Sequence, residues 1–244
     1  MQLRVRWSLK SIISFLFPPS CPLCGASVSI HGELCADCWV EFAWIGDAHC
    51  AQCGYPFPAD MEPSPRAMCP VCASGGCELD LIRSACVYDT ASRAAMLPFK
   101  HGGRIKYALF MSRAMIWAMR DTNICPDVIM PVPLARRRLF KRGYNQATLL
   151  ARPIARAYGA KIDHDSVRRK YRPDMGHKNA RQRAENIRGV FRVMHPERIR
   201  GRRILIVDDV MTSGATFAEM RRVLMRAGAA AVYGVTFCRV ARTA

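Results

Sequence analysis

The chain has 244 residues, half of them hydrophobic, which is enough for one α/β domain of ordinary size and a small module, and excludes a disordered chain. Lys and Arg number 37 against 19 Asp and Glu, giving a formal net charge of +18 that predicts attraction for polyanions. Single-stranded nucleic acid is therefore a candidate partner, although the same charge would also serve small-phosphate binding and solubility.

The first segment, Met1–Phe17, combines basic residues with a short apolar run, Ile12–Phe17. This run is too short to span a bilayer and has no small-residue cleavage site, so we expect neither a membrane anchor nor a secretion signal. An amphipathic helix packed on the following module is the favoured interpretation, with weak contact to a membrane surface as the lesser one. The protein is expected to be cytoplasmic and not an integral membrane protein.

Eight cysteines in the first third of the chain occur as C-x2-C pairs. The spacings C-x2-C-x10-C-x2-C and C-x2-C-x15-C-x2-C each offer the four thiolates of a closed tetrahedral zinc site. Gly25 and Gly54, each directly after a pair, supply the permissive backbone that a zinc knuckle needs. Small loop-rich modules lack a sufficient core, so both zinc ions are predicted to be structural. The predicted ligands are Cys21, Cys24, Cys35, Cys38, Cys50, Cys53, Cys69 and Cys72.

Other arrangements of these cysteines compete with this assignment. Disulfides are disfavoured because no secretion signal precedes the pairs. Consecutive ligation is assumed, but an interleaved arrangement, in which the first and third pairs share a metal, would use the same residues. Cys77 is the one plausible substitute ligand, Cys86 and Cys238 are expected in the core, and His31 and His49 are expected in exposed loops.

The domain boundary is predicted after the last C-x2-C pair and the proline-rich stretch Tyr55–Pro65. Residues 1–78 would form the N-terminal helix and the double zinc ribbon, and residues 79–244 the second domain.

A cluster of basic residues lies between a predicted strand and a predicted helix in the middle of the chain. Asp127–Met130 is predicted to be a buried strand, and Gln146–Tyr158 a helix. Arg and Lys between them could neutralise a diphosphate, form a solvated helix face or contact nucleic acid. These residues are Arg136, Arg137, Arg138, Lys141 and Arg142.

The segment Arg168–Asn186 is polar, strongly basic and interrupted by Pro173 and Gly176. This composition predicts a mobile loop before a strand at Val190–Val193. Tyr144 and Tyr171 could stack on bases beside the basic residues, which adds to the case for single-stranded DNA.

The most informative stretch is Ile204–Thr216. The apolar run Ile204–Val207 is typical of a parallel strand buried on both faces, which puts Asp208 and Asp209 at its carboxyl end, where open α/β sheets bind ligands. A helix is predicted over Phe217–Ala227. The fold class predicted from these patterns is α/β with a Rossmann-like parallel sheet.

The loop between the carboxylates and this helix has the composition of a phosphate site. Unpaired N–H groups at a helix N-terminus bind anions, and Gly214 allows close approach of the backbone. A carboxylate pair beside such a loop matches ribose 5-phosphate. The alternative is an ordinary strand, turn and capped helix without a ligand, in which the two Asp side chains are merely solvated. The loop residues are Thr212, Ser213, Gly214, Ala215 and Thr216.

This stretch resembles the phosphoribosyl pyrophosphate signature of type I phosphoribosyltransferases. The resemblance implies that Asp208 and Asp209 hold the ribose hydroxyls, that Thr212–Thr216 hold the 5-phosphate, and that Mg²⁺ accompanies the ligand. Arg136 and Arg142 are added as candidate diphosphate contacts. Regulatory members of this group bind the ligand without catalysis.

Nearly the whole chain resembles the ComF family, which is associated with DNA uptake. The resemblance rests on the cysteine module ahead of the phosphoribosyl motif and on Pro131–Leu134, Arg142–Ala147 and Phe99–Gly102. The usual Gln and Leu upstream of Arg183-x-x-Asn186 are not evident. The resemblance implies either a phosphoribosyltransferase with an unknown acceptor, or a non-catalytic single-stranded-DNA-binding accessory whose zinc module docks a competence helicase or translocase.

Overall fold

The computed structural model describes residues 18–58, 60–62, 64–77, 79–101, 105–171 and 187–241. The helix predicted within residues 1–17 and the element Arg183-x-x-Asn186 lie outside these ranges. No helix in the described part of the chain is long and apolar enough to cross a membrane.

Five parallel strands form the main sheet, in the order β1-β7-β6-β2-β3. They are β1 (Leu81–Val87), β2 (Val128–Pro131), β3 (Lys161–Ile162), β6 (Arg203–Met211) and β7 (Ala231–Arg239). Two further strands, β4 (Val167–Arg169) and β5 (Phe191–Val193), make a separate antiparallel pair. The parallel sheet confirms the predicted α/β fold class.

Seven α-helices lie in the described residues, together with a short 3₁₀ turn at Pro196–Arg198. The cysteine-rich part holds α1 (Ala36–Val40) and α2 (Pro70–Ala73), and the rest of the chain holds α3 (Thr90–His101), α4 (Tyr107–Ala118), α5 (Arg136–Arg142), α6 (Gln146–Tyr158) and α7 (Ala215–Arg226). The predicted helix Gln146–Tyr158 is confirmed with the same bounds.

Apolar side chains cover both faces of the main sheet. On one face Phe110 of α4 packs edge-on to Phe237 of β7, with ring centroids 5.3 Å apart, and Phe42 of the cysteine-rich part lies 5.7 Å from Phe110. On the other face Phe217 of α7 packs against the sheet, and a Cβ at Gly234 would lie 2.8 Å from its ring. Burial on both faces explains the unalternating apolar runs in the strands.

The cysteine-rich part joins the sheet through backbone hydrogen bonds to β1. Val87 N donates to Ala43 O at 2.8 Å, and Ile45 N donates to Ala85 O at 2.9 Å. Nearer the start of β1, Ile82 N donates to the backbone oxygen of Gln52 at 2.8 Å. The module therefore covers an edge strand that would otherwise expose unpaired polar groups.

Several predicted boundaries differ from the structure. The strand predicted at Asp127–Met130 runs from Val128 to Pro131, and the one predicted at Val190–Val193 begins at Phe191. β6 continues to Met211 because it pairs with β7 as far as Arg239, beyond the end of β2. α7 begins at Ala215, two residues earlier than predicted. The predicted loop Arg168–Asn186 is wrong at its start, since Arg168 and Arg169 pair within the β4–β5 sheet.

Candidate functional site

Asp208 and Asp209 lie in β6 just beyond the end of its neighbour β2. The last residue of β2, Pro131, is the register partner of Val207, so both carboxylates stand at the carboxyl-end edge of the sheet. Asp209 is only 7% exposed, and its backbone N donates to Asp208 Oδ1 at 2.9 Å. Burial, and then repulsion from Asp209, raises the pKa of Asp208 to about 7. Asp208 can therefore exchange a proton near neutral pH.

A lysine from a distant helix completes this carboxylate pair. Lys100 lies in the last turn of α3, and its Nζ is 3.1 Å from Asp209 Oδ2. The start of α3 is fixed by a reciprocal cap, in which Ser92 N donates to Asp89 Oδ1 and Asp89 N donates to Ser92 Oγ, each at 2.8 Å. The ion pair places a cation beside the carboxylates, where a ligand phosphate could also reach it.

Side chains ahead of and inside α6 hold the end of α3 in place. Tyr144 Oη donates to Phe99 O at 2.5 Å, and Gln146 Nε2 donates to Lys100 O at 3.2 Å. Both bonds satisfy carbonyls at a helix C-terminus that lack partners inside the helix. Asn145 accepts from Ala147 N at 3.1 Å and so caps α6. The segment with Tyr144 and Gln146 was indicated in the sequence only by the family resemblance. In the structure its hydrogen bonds hold the helix end that carries Lys100.

The predicted phosphate loop forms the turn between β6 and α7. Thr212 and Ser213 are exposed, and Gly214 adopts a φ of +76° that other residues rarely reach. Ala215 and Thr216 lie in the first turn of α7 and not in the loop, because this helix starts earlier than predicted. The first N–H groups of α7 thus begin a few residues after the carboxylates, as an anion site requires.

The basic residues after β2 form the short helix α5. Arg136 and Arg142 are its first and last residues, and Gly143 ends it with a φ of +77°. Among the described residues neither arginine forms an ion pair with Asp208 or Asp209, whereas Lys100 does. The structure places α5 at the same sheet edge as the carboxylates, and leaves a diphosphate role for these arginines as a prediction.

The surface of α5 combines positive charge with aromatic rings. The Arg137 guanidinium lies 5.2 Å from the ring centre of Tyr171, which follows β4, and Phe140 is 87% exposed. Sequence reasoning selected Arg137 and Tyr171 but missed Phe140, although its setting among arginines was visible. Arg169 of β4 contributes a further positive charge that acts on Asp208.

The eight predicted cysteine ligands form two clusters, grouped consecutively and not interleaved. In each cluster the four sulfurs lie within 4.8 Å of one another. Cys24 Sγ and Cys35 Sγ are 3.5 Å apart in the first, and Cys53 Sγ and Cys69 Sγ are 3.6 Å apart in the second. The clusters are Cys21, Cys24, Cys35 and Cys38, and Cys50, Cys53, Cys69 and Cys72.

In each cluster one thiol has a lowered pKa, Cys21 in the first and Cys50 in the second. Burial acts to raise the pKa of Cys21, but hydrogen bonds with the backbone at Cys24, Cys35 and Leu23 outweigh it and lower the pKa to about 6. The same balance lowers the pKa of Cys50 to about 7. Four soft thiolates in a closed set are the ligands that structural zinc prefers, so the residues present fit two zinc ions.

The remaining candidates near the clusters lie outside them. Cys77 Sγ is directed to Leu79 O at 3.9 Å, and Cys86 and Cys238 are fully buried in the sheet, as expected of core cysteines. His49 is half-buried and bonds Gly46 O through Nδ1, so the expectation of an exposed loop histidine is wrong there.

Comparison with known proteins agrees with this architecture. Residues 12–87 match the double zinc ribbon domain, and residues 111–244, over half of the chain, match the phosphoribosyl transferase domain. The chain is similar to DNA utilization protein YhgH of Escherichia coli (strain K12), with 31% identity over 229 residues that cover 91% of this chain and 97% of that protein.

Two further relatives carry names that refer to competence. Competence protein F of Haemophilus influenzae is 31% identical over 125 residues, which cover 48% of this chain and 55% of that protein. Competence protein ComFC of Bacillus subtilis is 25% identical over 231 residues, covering 93% and 80%. With a parallel-sheet phosphoribosyltransferase fold, two four-cysteine clusters and these relatives, the chain belongs to the ComF family.

Proposed function

We propose that the sheet edge at Asp208 and Asp209 binds phosphoribosyl pyrophosphate together with Mg²⁺. The observation that carries this proposal is the succession, at one strand end, of the partly exposed Asp208 and the buried Asp209, an exposed hydroxyl-bearing turn, and a helix that begins after Gly214. The carboxylates would accept hydrogen bonds from the 2- and 3-hydroxyls of the ribose. The turn and the first residues of α7, through Thr216, would donate to the 5-phosphate.

Lys100 and the arginines of α5 would serve the diphosphate. Lys100 already lies against Asp209, so a bound diphosphate would share its charge, and Arg136 and Arg142 would add forked donors. Mg²⁺ bound with the ligand would supply further neutralisation of the diphosphate charge. In a phosphoribosyltransferase, the bond from the anomeric carbon to pyrophosphate breaks as a bond to the acceptor forms, and these cations stabilise the departing pyrophosphate.

Calorimetric titration tests this proposal directly. Phosphoribosyl pyrophosphate with Mg²⁺ is titrated into zinc-loaded native protein and into the double variant Asp208→Asn with Asp209→Asn, with pyrophosphate release assayed on candidate acceptors. Loss of two charge-assisted hydrogen bonds should weaken binding by about 100-fold or more. Pyrophosphate release from the native protein would identify an enzyme.

Asp127→Asn provides the matched control for this titration. Asp127 lies just before β2, near the opposite end of the sheet, and its carboxylate pairs with Arg203 at 2.9 Å. This variant should bind like the native protein. Absence of binding by native protein, or equal binding by the double variant, would contradict the site.

A second candidate function is binding of single-stranded DNA, in a cytoplasmic accessory protein for DNA uptake. The observation that favours it is the solvent-facing Phe140 within the basic helix α5, next to the Arg137–Tyr171 contact. Aromatic rings that stack on bases beside backbone-neutralising cations are typical of single-strand binding. The names of the relatives, DNA utilization and competence, agree with this role.

Charge reversal on α5 tests the DNA surface. Arg137→Glu with Arg138→Glu should weaken single-strand binding and reduce the slope of log affinity against log salt by about 0.7 for each phosphate that the protein no longer neutralises. Arg152→Glu with Arg156→Glu, on the exposed face of α6, makes the same charge change elsewhere and should have a smaller effect. Equal effects from the two pairs would show only nonspecific attraction.

An experiment in cells can test whether the sugar-phosphate site contributes to DNA uptake. In the DNA-uptake role, the zinc ribbon would dock a competence helicase or translocase while the sugar-phosphate site is retained for binding or sensing. Transformation frequency in cells carrying the Asp208→Asn with Asp209→Asn variant measures this contribution. Undiminished uptake with folded, zinc-loaded variant protein would exclude the site from this role.

A further inference from the structure

The two four-cysteine clusters differ in their surroundings. In the first cluster Cys24 is exposed and only Cys21 is buried. In the second cluster all four cysteines are buried, and the hydrogen bond from Ile82 N to Gln52 O joins this cluster's knuckle to β1. A Cβ at Gly54 would lie 2.8 Å from Ile82 O, so the knuckle makes close backbone contact with the strand. The second cluster is therefore packed into the sheet domain.

A buried arginine from the central sheet reaches this second cluster. Arg239, the last residue of β7, is 6% exposed; its Nη1 donates to Cys53 O at 2.6 Å, and its guanidinium lies 5.1 Å from the Tyr55 ring centre. In the described part of the chain Arg239 forms no ion pair with a carboxylate.

Arg83 of β1 is a second cation at the same cluster. Its backbone lies against Gly54, with its Cα 3.4 Å from a Cβ built on that glycine. Its Cδ lies 3.6 Å from the same built Cβ, and its guanidinium donates to Ile82 O at 2.9 Å. Two arginines, one from β7 and one from β1, thus lie against the Cys53–Gly54 knuckle of this cluster.

An arginine cannot shed its proton in a protein, so burial leaves its charge in need of a counterion. Four thiolates around one Zn²⁺ carry a net negative charge. The four sulfurs are within 4.8 Å of one another, and Arg239 donates to the backbone oxygen of Cys53, one of the four.

We propose that the zinc–thiolate centre formed by Cys50, Cys53, Cys69 and Cys72 is the counterion of the buried Arg239 and of Arg83. Metal at this second site, and not at the first, thereby joins the ribbon electrostatically to β7 and β1. The inference rests on the double zinc ribbon and does not depend on a phosphoribosyl ligand.

Zinc release into a colorimetric chelator tests the proposal on the full-length protein. The exposed first site should release its metal in a fast phase that Cys24→Ser removes, and the buried second site in a slow phase. Arg239→Met should accelerate the slow phase by about 10- to 100-fold, the range for groups that support metal ligands, and leave the fast phase unchanged. Arg239→Lys should restore part of the difference because it keeps the charge.

Arg113→Met is the matched control. Arg113 of α4 also reaches the ribbon, but it pairs with Glu33 at 3.6 Å on the surface, so its removal should alter neither phase. If Arg239→Met fails to fold, Arg83→Met decides, since it should also accelerate the slow phase. Native release rates in folded Arg239→Met, or in Arg83→Met where that variant decides, would overturn the proposal.

Discussion

Asp208 and Asp209 differ in their environment although they are adjacent in sequence. Successive residues of a strand face opposite sides of the sheet, and Asp209 alone of the two forms an ion pair with Lys100 in the described residues. The charges of Lys100 and then of Arg169 also act to lower the pKa of Asp208, but burial and the charge of Asp209 outweigh them. The positive charge of Lys100 therefore compensates mainly the carboxylate of Asp209. Asp208 is left with burial and a like charge beside it, and these raise its pKa to about 7.

The stability of the ligand-free protein should reveal this pKa. Because the pKa of Asp208 is raised from 3.8 to about 7 on folding, its favourable contribution is complete below pH 3.8 and is lost as pH rises through 7. Asp208→Asn cannot ionise, so its melting temperature should gain on that of the native protein between pH 5 and pH 8. A gain of about 2–4 °C is expected for each kcal/mol relieved. Thermal unfolding across this pH range measures the difference.

Asp127 gives the opposite behaviour as a control. Hydrogen bonds from Arg203 lower the pKa of Asp127 to about 2, so its contribution is present above its unfolded pKa and is lost only in acid. Asp127→Asn should therefore melt below the native protein by a nearly constant amount from pH 5 to pH 8. A pH-independent difference for Asp208→Asn as well would show that Asp208 is ionised throughout.

At the scale of elements, the end of α3 depends on the segment that begins α6. Replacing Tyr144 by Phe and Gln146 by Ala removes the donors to Phe99 O and Lys100 O. We expect a loss of about 1 kcal/mol in stability for each hydrogen bond, and a larger proportional loss in phosphoribosyl pyrophosphate affinity, because Lys100 would no longer be held at Asp209. Calorimetry and thermal unfolding of the double variant measure the two effects.

Two neighbouring polar residues separate positioning from general destabilisation. Asn145→Ala removes the α6 cap and should cost about 1 kcal/mol of stability with little change in affinity. Ser112→Ala removes hydrogen bonds to Ala108 O and Leu150 O in the core and serves as a second stability control. Equal affinity losses in all three variants would mean that the end of α3 has no special role.

Elements with strong local signals were predictable from the sequence. The bounds of α6 were correct because Asn145 caps its start, Gly159 takes a left-handed conformation after its end, and an apolar face lies between them. The extension of β6 to Met211 was missed because it depends on pairing with a strand that lies later in the sequence. Pairing energy of that kind has no local signature.

In the candidate site, too, the residues that are contiguous in sequence were predictable, and the contacts between distant elements were not. The carboxylates and the turn to Gly214 are contiguous, so one motif contains them. The ion pair from Lys100 to Asp209 joins two elements that only the folded sheet brings together. Phe140 was missed because an aromatic residue in a short helix is usually buried, and its 87% exposure is a tertiary property.

At the scale of the whole molecule, the two cysteine clusters contribute unequally to the union of ribbon and sheet. The second cluster lies among backbone bonds to β1, side-chain bonds from Gln52 to Cys77 O and Leu79 O, and the Arg239 contact. The first cluster has one exposed cysteine. Loss of metal at the two sites should therefore have different consequences for the sheet domain.

Cys69→Ser and Cys24→Ser should separate these consequences. Each variant should retain one equivalent of zinc, but Cys69→Ser should lose about 3 kcal/mol or more of stability, or roughly 6–12 °C in melting temperature, because buried cations lose their counterion. Cys24→Ser should change the melting temperature less. Hydrogen exchange should show faster exchange of the β1 and β7 amides in Cys69→Ser but not in Cys24→Ser. Equal protection of these amides in both variants would mean that the sheet is stable without the second metal. The ribbon would then be attached to the sheet by its hydrogen bonds and by Phe42.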